Sequence, residues 1–91
     1  MYKMTIVRDD GASLTFDLLA EASAGGNVVV VQVGPEVEEP LKHAVQQPLL
    51  FQYFEASDPD PIEFHGKVMR LISHSVTGRT QIQVEIERFE Q

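Results

Sequence analysis

Thr80-Gln81-Ile82-Gln83-Val84-Glu85-Ile86-Glu87 alternates polar and apolar residues from Gln81 onward. A period of two sends Ile82, Val84 and Ile86 to one side and Gln81, Gln83, Glu85 and Glu87 to the other, the pattern of a strand with one face on a core and one in water. Just upstream, Ile62, Phe64, Val68 and Ile72 are expected to share the inner face of a second strand, with Met69 and Leu71 on the opposite face. Gly66 lies among them, and a glycine inside a strand marks a bulge or a bend where a sheet curls. Ser75-Val76-Thr77-Gly78-Arg79 separates the two segments, and Gly78 supplies the positive φ that a short turn needs, so 62–73 and 80–89 are predicted to pair as a hairpin.

The same reasoning extends towards the N-terminus. Tyr2 to Arg8 and Ser13 to Ala20 read as strands joined at Asp9-Asp10-Gly11, with Leu14, Phe16 and Leu18 lining the inner face of the second. Val28 to Val33 is continuously β-branched, which predicts a central strand covered on both faces. From Glu36 the period changes. Val37, Leu41, Ala44 and Val45 fall on one helical stripe, acidic residues sit near its start, Lys42 and His43 lie nearer its end, and Pro48 closes it. Leu49 to Phe54 is a further strand, followed by the turn Ser57-Asp58-Pro59-Asp60-Pro61. The expected fold is mainly β, a small six-stranded antiparallel β-barrel with one short helix, in a single domain over 1–91.

Composition narrows what such a domain does. Seven basic against fourteen acidic residues leave a net charge of −7, and the arginines are scattered, so nucleic acid and anionic membrane surfaces are unfavourable partners. There is no cysteine, which removes disulfides and thiolate metal sites. No secretory leader and no apolar run of membrane-spanning length is read in the sequence, so the expected compartment is the cytoplasm. A chain of 91 residues has little core to spare for an enzyme cleft.

Glu21-Ala22-Ser23-Ala24-Gly25-Gly26, running directly into Asn27 and Val28, carries the functional expectation. A small, polar, glycine-bearing turn on a buried strand is either a plain hairpin turn or a corner open to a ligand. Glu21-x-Ser23-x-x-Gly26 resembles the Asp/Asn-x-Ser-x-x-Gly motif of PilZ domains, small barrels that bind cyclic di-GMP, with Glu21 matching only in type. The order of elements is similar, and Gly66-Lys67-Val68 resembles the Gly-x-Val stretch on a late strand of that family. The resemblance implies a ligand-facing turn at Glu21, Ser23 and Gly26, with Arg8 as the anion contact. The family's Arg-x-x-x-Arg stretch is absent, since Met4 and Ala12 stand four residues either side of Arg8. Strong phosphate binding rests on paired guanidinium groups. The expectation is therefore a degenerate, non-catalytic regulatory or protein-interaction module, with a protein partner and weak or no cyclic di-GMP binding.

Two further expectations complete the reading. Phe64-His65-Gly66-Lys67-Val68 is also similar to a stretch in the barrels of phage tail hubs and type VI secretion spikes, which implies a role in assembly. Met69 and Leu71, as apolar groups on an outer face, are candidate interaction residues. No nucleophile motif or phosphate-cradling loop occurs, so no enzyme activity, catalytic residue or cofactor is expected. His65 and His74 are an odd number of positions apart, which on a regular strand sends them to opposite faces and leaves no metal site.

Overall fold

In the computed structural model the alternation at 81–87 forms β7 (Arg79–Phe89), antiparallel to β6 (Ile62–His74). Residues 1–89 are described; the last two positions of the expected domain lie outside the described residues. The turn between β6 and β7 closes with the Gly78 amide donating to the His74 carbonyl at 2.8 Å, and Gly78 has a φ of 69°. The remaining strands are β1 (Tyr2–Val7), β2 (Ser13–Leu18), β3 (Ser23–Gly25), β4 (Val28–Val33) and β5 (Leu49–Phe54). All seven make one antiparallel sheet in the order β2-β1-β5-β6-β7-β4-β3.

The architecture is mainly β, as the alternation predicts, but it is not a closed six-stranded barrel. Ser23 to Gly25, read as a turn, forms an edge strand of its own on β4, because Gly26 at φ 62° reverses the chain. The ladder leaves β2 and β3 as edges. The sheet nevertheless curls far enough for the Leu19 amide to donate to the Gln32 carbonyl at 2.8 Å, a single backbone bond between the end of β2 and β4.

One face of the curl holds the core: Met4, Ile6, Val31, Phe51, Val68, Ile82 and Val84 are almost wholly buried. Phe51 stacks on Phe64 with ring centroids 5.1 Å apart. Val28 to Val33 is not covered on both faces. Val29, Val31 and Val33 are buried while Val28, Val30 and Gln32 are only half-buried, so β4 alternates like its neighbours.

Two bulges set the phase of the long hairpin. One lies between His65 and Gly66, where Gly66 sits opposite Ile86 while His65 sits opposite Arg88. The other falls between Val68 and Arg70. An extra residue in a strand flips every later side chain to the other face. Leu71 is therefore paired with the buried Ile82 and packs on the core, whereas Ile72 pairs with Gln81 on the outer face. This corrects the expected faces: Met69 and Leu71 do not form an outer patch. Ser73, opposite Thr80, returns to the inner side for the same reason.

The helical stripe exists but is broken into three turns: a 3₁₀ turn at Pro35–Val37, an α-helix of one turn at Glu38–Leu41 (α1), and a second 3₁₀ turn at Lys42–Ala44. Val37, Leu41 and Ala44 bury their side chains across one end of the curl, beside the β1–β2 turn. Gln46 then takes a left-handed conformation, φ 70°, which is unfavourable for a residue with a Cβ. Its contacts account for it. The Gln46 amide donates to the Val68 carbonyl at 2.9 Å and Nε2 to the Met69 carbonyl at 3.2 Å, so the segment grips β6 at the bulge.

Glu38 latches this plug to the sheet. Oε1 accepts from Ser73 Oγ at 2.7 Å and Oε2 from the buried Thr80 Oγ1 at 3.0 Å. The bond from Ser73, then that from Thr80, holds the Glu38 carboxyl below its ordinary value of 4.5, against a smaller opposing effect of burial. A depressed native pKa contributes stability that is complete above the ordinary value and lost as pH falls through the depressed one. Thermal unfolding of the protein followed downward from pH 4.5 is expected to show a fall that Glu38→Gln flattens. Parallel curves for the two proteins would remove the latch from the account.

Candidate binding site at the open end of the sheet

The end of the curl opposite the helical turns carries no plug. A hollow of about 290 Å³ opens there, with Met4 and Val29 at its floor and Tyr53, Phe64 and Ile86 among its walls. Its lip is formed by Glu21, Glu55, Ile62 and Phe89. Ile62 and Phe89 are 47% and 55% exposed, unusual for large apolar side chains beside a core. The volume is close to the lower limit for small-ligand pockets and suits one side chain or a small group.

Tyrosines fix the Glu21 corner. Tyr2 begins β1 and Tyr53 lies on β5, and their rings stack 6.1 Å apart at an interplanar angle of 9°. The Tyr2 hydroxyl donates to Glu21 Oε2 at 3.0 Å, and the Ala22 amide donates to the Tyr53 hydroxyl oxygen at 3.2 Å. Donation to Glu21 raises the Tyr2 phenol pKa, and the carboxylate's charge adds to this. Burial raises that of Tyr53 against the lowering effect of the Ala22 amide, and the charges of Glu21 and Glu55 add smaller pushes upward. The Tyr2 hydroxyl donates while the Tyr53 hydroxyl accepts, so the two rings hold the corner through opposite roles.

Glu21, Ser23 and Gly26 are all exposed at this corner. Arg8 is not with them. It follows β1 at the far end, six residues beyond Tyr2, about 20 Å away at the rise of a strand. There it pairs with Asp10 at 3.6 Å and shares a surface hollow with His65 and Arg88, balanced by Asp9 and Glu87. The expected anion contact and the expected ligand turn therefore sit at opposite ends of one strand. Arg88 joins Arg8 through the β1-β5-β6-β7 row, a neighbourhood that no local motif announces.

Phe64-His65-Gly66-Lys67-Val68 spends its apolar residues internally: Phe64 and Val68 are buried. Strands flank the stretch on both sides, β5 pairing with its first three residues and β7 along its whole length. His65 and His74 stand on the same outer face once the bulge at Met69 is counted, contrary to their parity in the sequence. They are nonetheless some nine residues apart, about 25–30 Å along the strand. Among the described residues no group of three His, Asp or Glu side chains is placed to hold a metal ion, and no helix is long and apolar enough to cross a membrane.

In the sequence Tyr2, Tyr53, Glu55, Ile62 and Phe89 are scattered aromatic, acidic and apolar residues; the curl of the sheet makes them neighbours. Compared with protein-family models, curated proteins and solved structures, the chain matches none.

Proposed function

We propose that the protein is a non-catalytic interaction module of the cytoplasm, and that it docks an apolar group of a protein partner in the hollow at the Glu21 corner. The observation that carries this reading is the unplugged end of the curl, where Ile62 and Phe89 stay exposed around an apolar hollow while the other end is sealed by Val37, Leu41 and Ala44. Apolar surface left open at a rigid rim gains free energy when a partner covers it. The regulatory role implied by the resemblance to PilZ domains is compatible with this site, but phosphate recognition is not supported there. The lip carries two carboxylates, and Arg8 lies at the far end of β1.

The test is an amide-resolved NMR titration with N-acetyl-phenylalanine methylamide as the apolar probe. Saturable shifts are expected at Ala22, Ala24, Ile62, Ile86 and Phe89, and Ala24→Trp, which fills the hollow from an exposed edge strand, should abolish them while leaving the remaining spectrum intact. Cyclic di-GMP in the same experiment is expected to leave residues 21–27 unmoved. Shifts scattered over the surface, or saturable shifts at 21–27 with the nucleotide, would reject the docking reading.

A further inference from the structure

We infer that the partner segment taken by this hollow is basic as well as apolar: it presents a lysine or arginine beside its apolar anchor, read by Glu21 and Glu55. This rests on the docking reading above and specifies its chemistry.

The charged residues described as lining the hollow are all of one sign. Among the described residues, Glu21 and Glu55 are the charged groups lining it and no Lys or Arg belongs to its lining. Neither carboxylate has an ion-pair partner among the described residues, in contrast to Asp10, Glu39 and Glu85, each of which meets a base. One oxygen of Glu21 is occupied by the Tyr2 hydroxyl, which leaves Oε1 for a second donor, and the bond holds the side chain in place. Both residues line the same hollow beside Tyr53, so they bear on one region.

A purely apolar partner pressed onto such a lip would strip water from two carboxylates and return nothing. A second copy of this chain would bring the same two acids and its own net charge of −7 against them. A basic side chain removes the penalty. Its aliphatic stem covers Ile62 and Phe89 while its head stays at the rim between the carboxylates, in partial contact with water. Aromatic walls add to this, because Tyr53 and Phe89 present π-faces or edges next to where a cation would sit. The protein already makes such a pairing elsewhere: Lys3 Nζ lies 5.5 Å from the centre of the Phe54 ring.

The experiment uses a peptide pair that differs only in charge, acetyl-Ser-Phe-Lys-Leu-Lys-Ser-amide and the same peptide with both lysines replaced by glutamine. Each is titrated into the full chain and into the Glu21→Gln/Glu55→Gln double variant, read by amide shifts at Ala24, Ile62 and Ile86. The lysine peptide is expected to bind wild type about tenfold more tightly than the glutamine peptide, and to weaken as salt is raised. In the double variant the two peptides should become equal. Glu55→Gln alone, which keeps the Tyr2 hydroxyl's bond to Glu21, should give an intermediate ratio and guards against a disturbed Glu21 corner. Equal binding of both peptides to wild type at the hollow would overturn the charge inference and leave the docking reading standing. Failure of both peptides and of the neutral apolar probe to move the hollow's amides would remove the docking reading and this inference with it.

Discussion

Replacing Phe51 by alanine is expected to cost about 3–5 kcal/mol, the range for removing a large buried aromatic side chain. The ring is wholly buried on β5, which runs between β1 and β6, and it stacks on Phe64. Met4 and Ile6 on the neighbouring β1 are equally buried and belong to strands paired on both sides, so the wall of the void has little freedom to collapse. A domain of 91 residues has a stability of order 5–15 kcal/mol, so this one change consumes a large part of it. Urea unfolding should show a midpoint displaced far towards low denaturant with little change in slope. A loss below about 1 kcal/mol would mean that Phe51 is not the centre of the core.

Gly66→Ala is the second large effect, and it arises from backbone contact rather than from a void. A Cβ at Gly66 would run into the carbonyl oxygen of Glu85 on β7, an atom held in the ladder that cannot rotate away. Relief requires β6 and β7 to separate next to their bulge, and overpacking of this kind costs about 1–3 kcal/mol, with valine worse than alanine. Gly25→Ala is the control. Its Cβ would meet open space on the exposed edge strand β3, so a change within about 0.5 kcal/mol is expected. If the two alanine variants unfold at the same denaturant concentration, the close approach of β6 to β7 is wrong.

The contrast between these two glycines also bears on the binding site. Gly66 is present because two strands come together in front of it, whereas Ala24 and Gly25 lie exposed on the edge strand β3, where an added Cβ at Gly25 meets open space. The hollow beside that corner can therefore be altered by Ala24→Trp or by the glutamine variants at Glu21 and Glu55 with little expected loss of stability. That separation of core from lip is what makes the docking and charge experiments interpretable.

Where six of the seven strands lie was readable residue by residue. Alternation at 81–87, the Asp9-Asp10-Gly11 turn, and Gly78 all act within a few positions, because side-chain direction and turn dihedrals are local properties. The stripe Val37, Leu41, Ala44 likewise foretold which face of the helical turns is buried. The faces of residues 69–74 were not readable. Their direction depends on a bulge set by register against β7, where it lies beside the grip of Gln46 on the Val68 and Met69 carbonyls, contacts between residues well separated in the sequence. The extra edge strand at Ser23 to Gly25 and the unclosed ladder belong to the same class, since both depend on how far the sheet curls. So does the candidate site. Ser23 and Gly26 stood out as a motif, yet Arg8 is carried to the far end of β1, and Tyr53, Glu55, Ile62, Ile86 and Phe89 meet Glu21 only because strands distant in the chain curve towards a common axis. Local chemistry decided the elements and their inward faces; the distances over which register accumulates decided what stands beside what.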